Sequence, residues 1–413
     1  MPDVTTVVVG AGHAGLAMCH HLAARSIDHV VLERGEVAHS WRTQRWDSLR
    51  LLTPSWMTRL PGWSYDGPDP HGHLTAAETA SLIRRYAAAQ QAPVLTGAAV
   101  TAVRPGRLGG LGMEIETEHE RWQARTVVLA AGTTRPAVPT LAARVPPEVE
   151  CLSALGYRNP DQLPEGGVLV VGGSASGAQV AEELQRSGRP VTLAVGEHVR
   201  MPRNYRGQDV FCWLDRAGIL DQRWDEVDDL TRARALPSPQ LVAGRTLDLN
   251  GLQDAGVRVV GKVAGLRDGV ALLSGGLANV CALADLKLGR LLDTFDELSG
   301  GRGERPDPTV VRRPPLELDL TSGEIRSLVW ATGVRPDLSF LDLPVLDRHG
   351  RLRHDAGVTP WPGLYVMGLP LLRRRRSSYI DGARADAADL ADHLAAHLAG
   401  RSSLRPALTQ EAS

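Results

Sequence analysis

The stretch "TTVVVGAGHAGLAMCHHLAARSIDHVVLERG", residues 5–35, reads as strand, turn, helix and strand. Val7 to Val9 form a continuous apolar run, the pattern of a strand covered on both faces of a parallel sheet. Gly10, Gly12 and Gly15 then give G-x-G-x-x-G. The first glycine permits a tight turn, the second lets backbone approach a pyrophosphate, and the third lets helix and strand pack closely. The helix start adds free N–H groups and the positive end of its dipole. Glu33 closes the second strand about 20 residues on, where a carboxylate accepts hydrogen bonds from both ribose hydroxyls of an adenosine. His13 and Ala14 complete the turn, and a loop histidine of this kind reads as solvent-facing, not catalytic.

A second stretch, "VLVVGGSASGAQVAEEL" (168–184), repeats the pattern with one change. Its only frame is Gly172, Ser174 and Gly177, with serine where the middle glycine stood. The hydroxyls of Ser174 and Ser176 are candidate phosphate ligands. The interval that leads from Gly10 to Glu33 leads from Gly172 to Val195, so the acid is gone. His198, Arg200, Arg203 and Arg206 follow, with Glu197 the one acid among them. Loss of the acid and gain of cations is what a ribose 2′-phosphate requires, since arginine grips phosphate with a forked pair of donors. The pair of sites predicts FAD in the first, NADPH in the second, and hydride passing between them.

The bulk numbers exclude other classes. The chain has 413 residues, 43% hydrophobic and 23% charged, as expected for two to three globular domains. A formal net charge of -1 predicts neither nucleic acid nor a membrane surface as partner. No apolar run approaches the roughly 20 residues that span a bilayer, and a core strand begins by residue 4, so a cytoplasmic location is expected. Cys19, Cys151, Cys212 and Cys281 are scattered, with no C-x-x-C, and read as isolated buried thiols. His20 and His21 lack ligand partners, so no metal is expected.

Over nearly its whole length the chain resembles the flavin-containing monooxygenases, the single-component type that includes Baeyer–Villiger and auxin-forming enzymes. The resemblance rests on "VVVGAGHAG", "AHSWRTQRWDSLRLLTP", "VVLAAGTTRP", "VLVVGGSASG" and "LVWATGVRPD". It implies an α/β fold of two Rossmann-like dinucleotide-binding domains. The FAD domain is discontinuous, 1–135 and 315–413, the NADPH domain is inserted at 160–314, and 136–159 is a linker. It places Arg34 beside the ribose acid, and Ser40, Trp41 and Arg42 against the flavin phosphate and ring. Ala131, Gly132 and Thr133 form the crossover between domains, Ala331, Thr332 and Gly333 the return crossover near NADPH, and Gly368 and Leu369 the closing segment under the flavin. The implied reaction inserts one atom of O2 into a small organic substrate, at nitrogen, sulfur or a ketone, through a flavin C4a-(hydro)peroxide. No catalytic side chain is named. Two positions depart from the pattern: Ser153 stands where the family's identifying histidine belongs, and Leu52 where some members have an asparagine. An NADPH-dependent flavin oxidoreductase or oxidase without oxygenation is the alternative.

Four of the nine tryptophans, Trp41, Trp46, Trp56 and Trp63, fall close together and suit a dry cavity beside a flavin. The stretch 276–298 repeats apolar residues at helical spacing, with Leu277, Val280, Leu288, Leu291 and Phe295 on one face, packed on its own domain or forming a homodimer contact. "ADAADLADHLAAHL" reads as a surface helix. The run Arg373 to Arg376 reads as a solvated loop, or as a cation source for a cofactor or an anionic substrate.

Overall fold

The computed structural model describes residues 2–106, 112–236 and 238–400. Two parallel sheets of five matching strands organise the chain. In the first, the order is Val94–Thr96, His29–Glu33, Asp3–Val9, Arg121–Leu129, Leu364–Val366. In the second it is Arg258–Gly261, Val191–Val195, Gly167–Val171, Ile325–Trp330, Glu150–Ser153. Each central strand is apolar and buried throughout its inner length, because packed elements cover both of its faces.

The second unit repeats the first down to its accessory strands. Antiparallel Val100–Pro105 and Met113–Thr117 lead into the fourth strand of the first sheet. Val263–Arg267, Val270–Leu273 and Glu317–Asp319 do the same for the second. The helix Leu277–Ser299 is inserted in that second meander. It buries Leu277, Cys281, Ala284, Leu288, Leu292 and Phe295, while Val280 and Leu291 are only half-buried. The apolar stripe therefore runs one position away from the expected face at two of its five places.

The strand Ile325–Trp330 lies in the second sheet, between Gly167–Val171 and Glu150–Ser153, so the boundary expected at 315 falls too early. Glu150–Ser153, expected as linker, is that sheet's edge strand, parallel to Ile325–Trp330. The two crossovers lie side by side: Arg135–Pro136 pairs antiparallel with Val334–Arg335. The helix Ala383–Leu398 packs on His13–Ala23 through Ala387, Leu390, Ala391 and Leu394. No described helix is long and apolar enough to cross a membrane.

Candidate active site

The two glycine turns coincide in detail. Gly10 and Gly172 hold φ of +104° and +119°, and at each a Cβ would strike the carbonyl of the residue opening a crossover, Ala130 or Ala331. At Gly15 and Gly177 a Cβ would overlap the carbonyl oxygens of Gly10 and Gly172. Helix and strand touch there, backbone on backbone.

The middle position explains the serine. Gly12 and Ser174 both have extended backbone, with φ of -82° and -85°, which any residue adopts. A Cβ on Gly12 would meet nothing within 4 Å, so glycine there keeps open the space a pyrophosphate would use. Ser174 fills the matching space with a hydroxyl that does not cap its own helix. The displaced glycine is one residue earlier. Gly173 stands opposite Ala11, and a Cβ on it would lie 2.9 Å from both methyls of Val195. In the first unit the matching acid does the reverse: Glu33 accepts the N–H of Ala11 at 2.8 Å and that of Gly35 at 3.0 Å. Acid or valine at the strand end thus decides which small residue the turn carries.

Around the first turn the structure gathers an electropositive, partly dry corner. His13 is not solvent-facing: its Nε2 is buried without a partner, and burial, aided by Arg45, lowers its pKa to about 4. Arg45, half-buried, stacks 4.9 Å from the centre of the Trp41 ring. It has no carboxylate partner among the described residues, and burial followed by the nearby Arg158 pulls its pKa down. An unpaired cation and an orphaned imidazole nitrogen beside an open glycine cradle fit an anionic dinucleotide. Arg45 was not singled out from the sequence, although it stands between two tryptophans in "WRTQRW".

The other expected residues divide. Met367 N–H donates to Leu129 at 2.8 Å, and a Cβ on Gly368 would lie 3.3 Å from that of Ala14, so the closing segment returns to the first turn with half-buried Leu369 beside it. Ala131 and Thr133 flank Gly132, whose φ is +68°. Across the paired crossovers Thr332 donates its hydroxyl to Ala137 at 2.8 Å, next to Ala331 and Gly333. Ser40 is half-buried, Arg34 is exposed, and Arg42 is exposed and paired with Glu36. Ser176 lies in the first turn of the second unit's helix.

Arg200 and Arg203 are not offered to a ribose phosphate. Arg200 pairs with Asp248 at 2.8 Å and Asp285 at 2.7 Å. Arg203 is fully buried, paired with Asp209, and donates to the Leu52 carbonyl at 2.7 Å. Desolvation is what recruits those carboxylates: a buried guanidinium without them would cost several kcal/mol, or about a thousandfold in folding. His198 is 2% exposed and neither ring nitrogen completes a hydrogen bond, although the backbone of Gly196 approaches it.

Three further expectations are corrected. The tryptophans disperse: Trp46 packs in the core of the second unit with Tyr157, Trp56 beside Met201 and Phe211, and Trp63 stacks on Tyr86 at 5.5 Å. The arginine run is not a solvated loop. Arg373 and Arg374 pair with Asp389, Arg374 also with Asp386, and Arg376 with Asp215, Asp221 and Asp381. Cys19 and Cys281 are buried, but Cys151 is exposed. A cavity of about 470 Å³ lined by His20, His21, Arg59, Asp221 and Arg376 lies at the opposite end of the first helix from its glycine turn.

His354, like His13, is pushed to about 4, by burial and then by Arg234. Both are held neutral in the fold, whereas an unfolded histidine takes a proton near 6.5. The unfolded chain therefore binds more protons between about 6.5 and 4, and stability falls as pH drops through that window. Urea titrations at pH 7 and pH 5 should show a lower midpoint at pH 5. A His354→Gln variant should lose less between the two; equal losses would remove His354 from the account.

Comparison with known proteins agrees with this architecture. The pyridine nucleotide-disulphide oxidoreductase family model matches residues 7–214, half of the chain. A protein of Geobacillus kaustophilus described as an uncharacterized oxidoreductase, CzcO-like, is 29% identical over 399 residues, covering 95% of this chain and 99% of its own. The indole-3-pyruvate monooxygenase YUCCA1 of Oryza sativa is 30% identical over 209 residues, 50% of this chain and 51% of its own. A flavin-containing monooxygenase from Stenotrophomonas maltophilia shares the fold, with a TM-score of 0.67 at 19% identity, over 96% of this chain and 100% of its own. Family membership implies flavin and nicotinamide cofactors. With its two matched glycine turns, the chain belongs to the pyridine nucleotide-disulphide oxidoreductases and is an oxidoreductase.

Proposed function

We propose that the chain is an FAD-dependent, NADPH-consuming monooxygenase acting on a small organic substrate. The observation that carries the reading is the pair of superposable turns with opposite strand ends, Glu33 in one and Val195 in the other. One suits a ribose with free hydroxyls and the other does not, so two different nucleotides are held in one chain. In domain terms, FAD belongs to the first sheet, closed by Leu364–Val366, and NADPH to the second, completed by Ile325–Trp330.

A bound flavin supplies two-electron chemistry between nicotinamide and O2. The protein residues do the holding. Glu33 would receive the adenosine ribose, the open face of Gly12 would admit the pyrophosphate, Arg45 would offset its charge, and the neutral His13 ring could offer it a hydrogen bond. The closing segment at Gly368 and Leu369, which returns to the first turn, would help hold the flavin. The paired crossovers, Arg135–Pro136 against Val334–Arg335, would link the two nucleotide sites. Overall, substrate, O2, NADPH and a proton give oxygenated substrate, water and NADP⁺. The acceptor atom, whether nitrogen, sulfur or a ketone carbon, is a property of the substrate.

Anaerobic mixing of flavin-loaded protein with NADPH, and separately with NADH, tests the reading. Bleaching of flavin absorbance should be at least about tenfold faster with NADPH at equal concentration. On admission of O2 with amines, sulfides or ketones, consumed oxygen should appear in product instead of in hydrogen peroxide. Stoichiometric peroxide with every substrate class would favour the second reading, an NADPH-dependent flavin oxidoreductase without oxygenation. That reading has its own support in Ser153 and Leu52, the two departures from the monooxygenase pattern.

A further inference from the structure

With Arg200 and Arg203 consumed by internal carboxylates, the second nucleotide needs another source of positive charge. The chain has 46 lysines and arginines, and just two of them are lysines, Lys262 and Lys287. Both stand at the exit of the strand Val191–Val195. Val195 pairs in register with Gly261, so Gly196 and Lys262 emerge together at the end of the sheet. The aliphatic stem of Lys262 lies over Gly196, 3.7 Å from where a Cβ on that glycine would sit. Lys262 is exposed and has no ion-pair partner among the described residues. Lys287, from the helix Leu277–Ser299, places Nζ 3.7 Å from the Glu197 carboxylate.

This arrangement addresses the one feature that argued against a phosphate. Glu197 sits two residues past the strand end, where a free carboxylate would repel a 2′-phosphate and favour a 2′-hydroxyl. Lys287 stands beside it and offsets part of its charge. His198, next in the chain, is 2% exposed and approached by the Gly196 backbone, so it stays inside the fold and the two lysines are left to meet the phosphate. Resting on the NADPH reading above, we infer that Lys262 binds the ribose 2′-phosphate as a compact point charge, and that Lys287 sets nucleotide preference indirectly by masking Glu197. Lysine suits this role because its ammonium turns to meet a tetrahedral anion without needing a fixed planar fork.

The test is calorimetric titration of full-length, flavin-loaded protein with 2′,5′-ADP and with 5′-ADP, which differ in the 2′-phosphate. Wild type should bind 2′,5′-ADP more tightly. Lys262→Ala should weaken 2′,5′-ADP by about tenfold and leave 5′-ADP unchanged, the cost of one charge-assisted contact. Lys287→Ala should also lower the ratio of the two affinities, and adding Glu197→Gln should restore it. That rescue would not follow if Lys287 merely supported the fold. Unchanged 5′-ADP affinity and melting temperature report intact folding in each variant. A wild-type preference for 2′,5′-ADP that survives Lys262→Ala overturns the lysine assignment and leaves the NADPH reading standing. A wild type that binds the two equally overturns the NADPH reading, and this inference with it.

Discussion

Gly15→Ala protein is expected to purify colourless, whereas Gly177→Ala protein should keep its flavin yet fail to be reduced by NADPH. The two glycines are structural counterparts. At each, an added Cβ would overlap a backbone carbonyl oxygen, that of Gly10 or of Gly172. Neither oxygen can swing aside as a flexible side chain would, because each belongs to the turn itself. The helix must therefore back away from its strand, carrying its N–H groups off the pyrophosphate position. Overpacking of this kind costs about 3 kcal/mol at the contact, and more where backbone must move. The losses should be local, since the two turns lie in different sheets. Flavin content by absorbance and anaerobic reduction by NADPH give the two readouts. If Gly15→Ala retained flavin at wild-type stoichiometry, the first turn would not be where the flavin nucleotide binds.

Arg376→Leu is expected to destabilise the protein by about 3 kcal/mol in urea titration and to open the 209–226 segment to protease. Arg376 is 7% exposed and pairs with three carboxylates. They are not equal. Asp221 has 59% of its side chain exposed, so water screens most of its share. Asp381 is 6% exposed and would be left with Arg59 alone, at 2.9 Å. Asp215, on the helix Val210–Arg216, makes the pair that ties the inserted unit to the closing segment. Trp224 and Arg375 reinforce that seam, through a backbone bond to Arg373 and one to Gln222. Replacing Asp381 by leucine in the same variant should recover part of the loss, because the uncompensated charge goes with it. A cost below about 1 kcal/mol would mean the seam is held by apolar packing instead.

Legibility from sequence followed the range of the interaction involved. The turns were readable because their constraints are local: a positive φ at Gly10 and a close approach at Gly15 depend on neighbours a few residues away. Even the serine of the second turn was interpretable, though its partner substitution, Gly173 against Val195, needed the packed strand to be seen. The arginines were not readable. Whether Arg200 is free or spent depends on Asp248 and Asp285, on two separate elements brought in by the tertiary fold. The tryptophans failed for a related reason. A chain that crosses between two cores sends Trp46 into one and Trp63 into the other, however close they are in sequence. The boundary expected at 315 was early because a lone buried strand, Ile325–Trp330, does not announce which sheet it joins.

That strand also sets when the protein can become itself. During synthesis the Gly167–Val171 strand emerges with one neighbour, Val191–Val195, soon available. Its other flank waits for Ile325–Trp330, and the first sheet waits longer still, for Leu364–Val366 to settle beside Arg121–Leu129. Both nascent sheets thus carry an unpaired apolar edge until most of the chain has left the ribosome, the condition under which partly made proteins aggregate. Fragments ending before residue 325 should accordingly be insoluble without a chaperone, and slowing translation over the inserted unit should lower the yield of soluble enzyme.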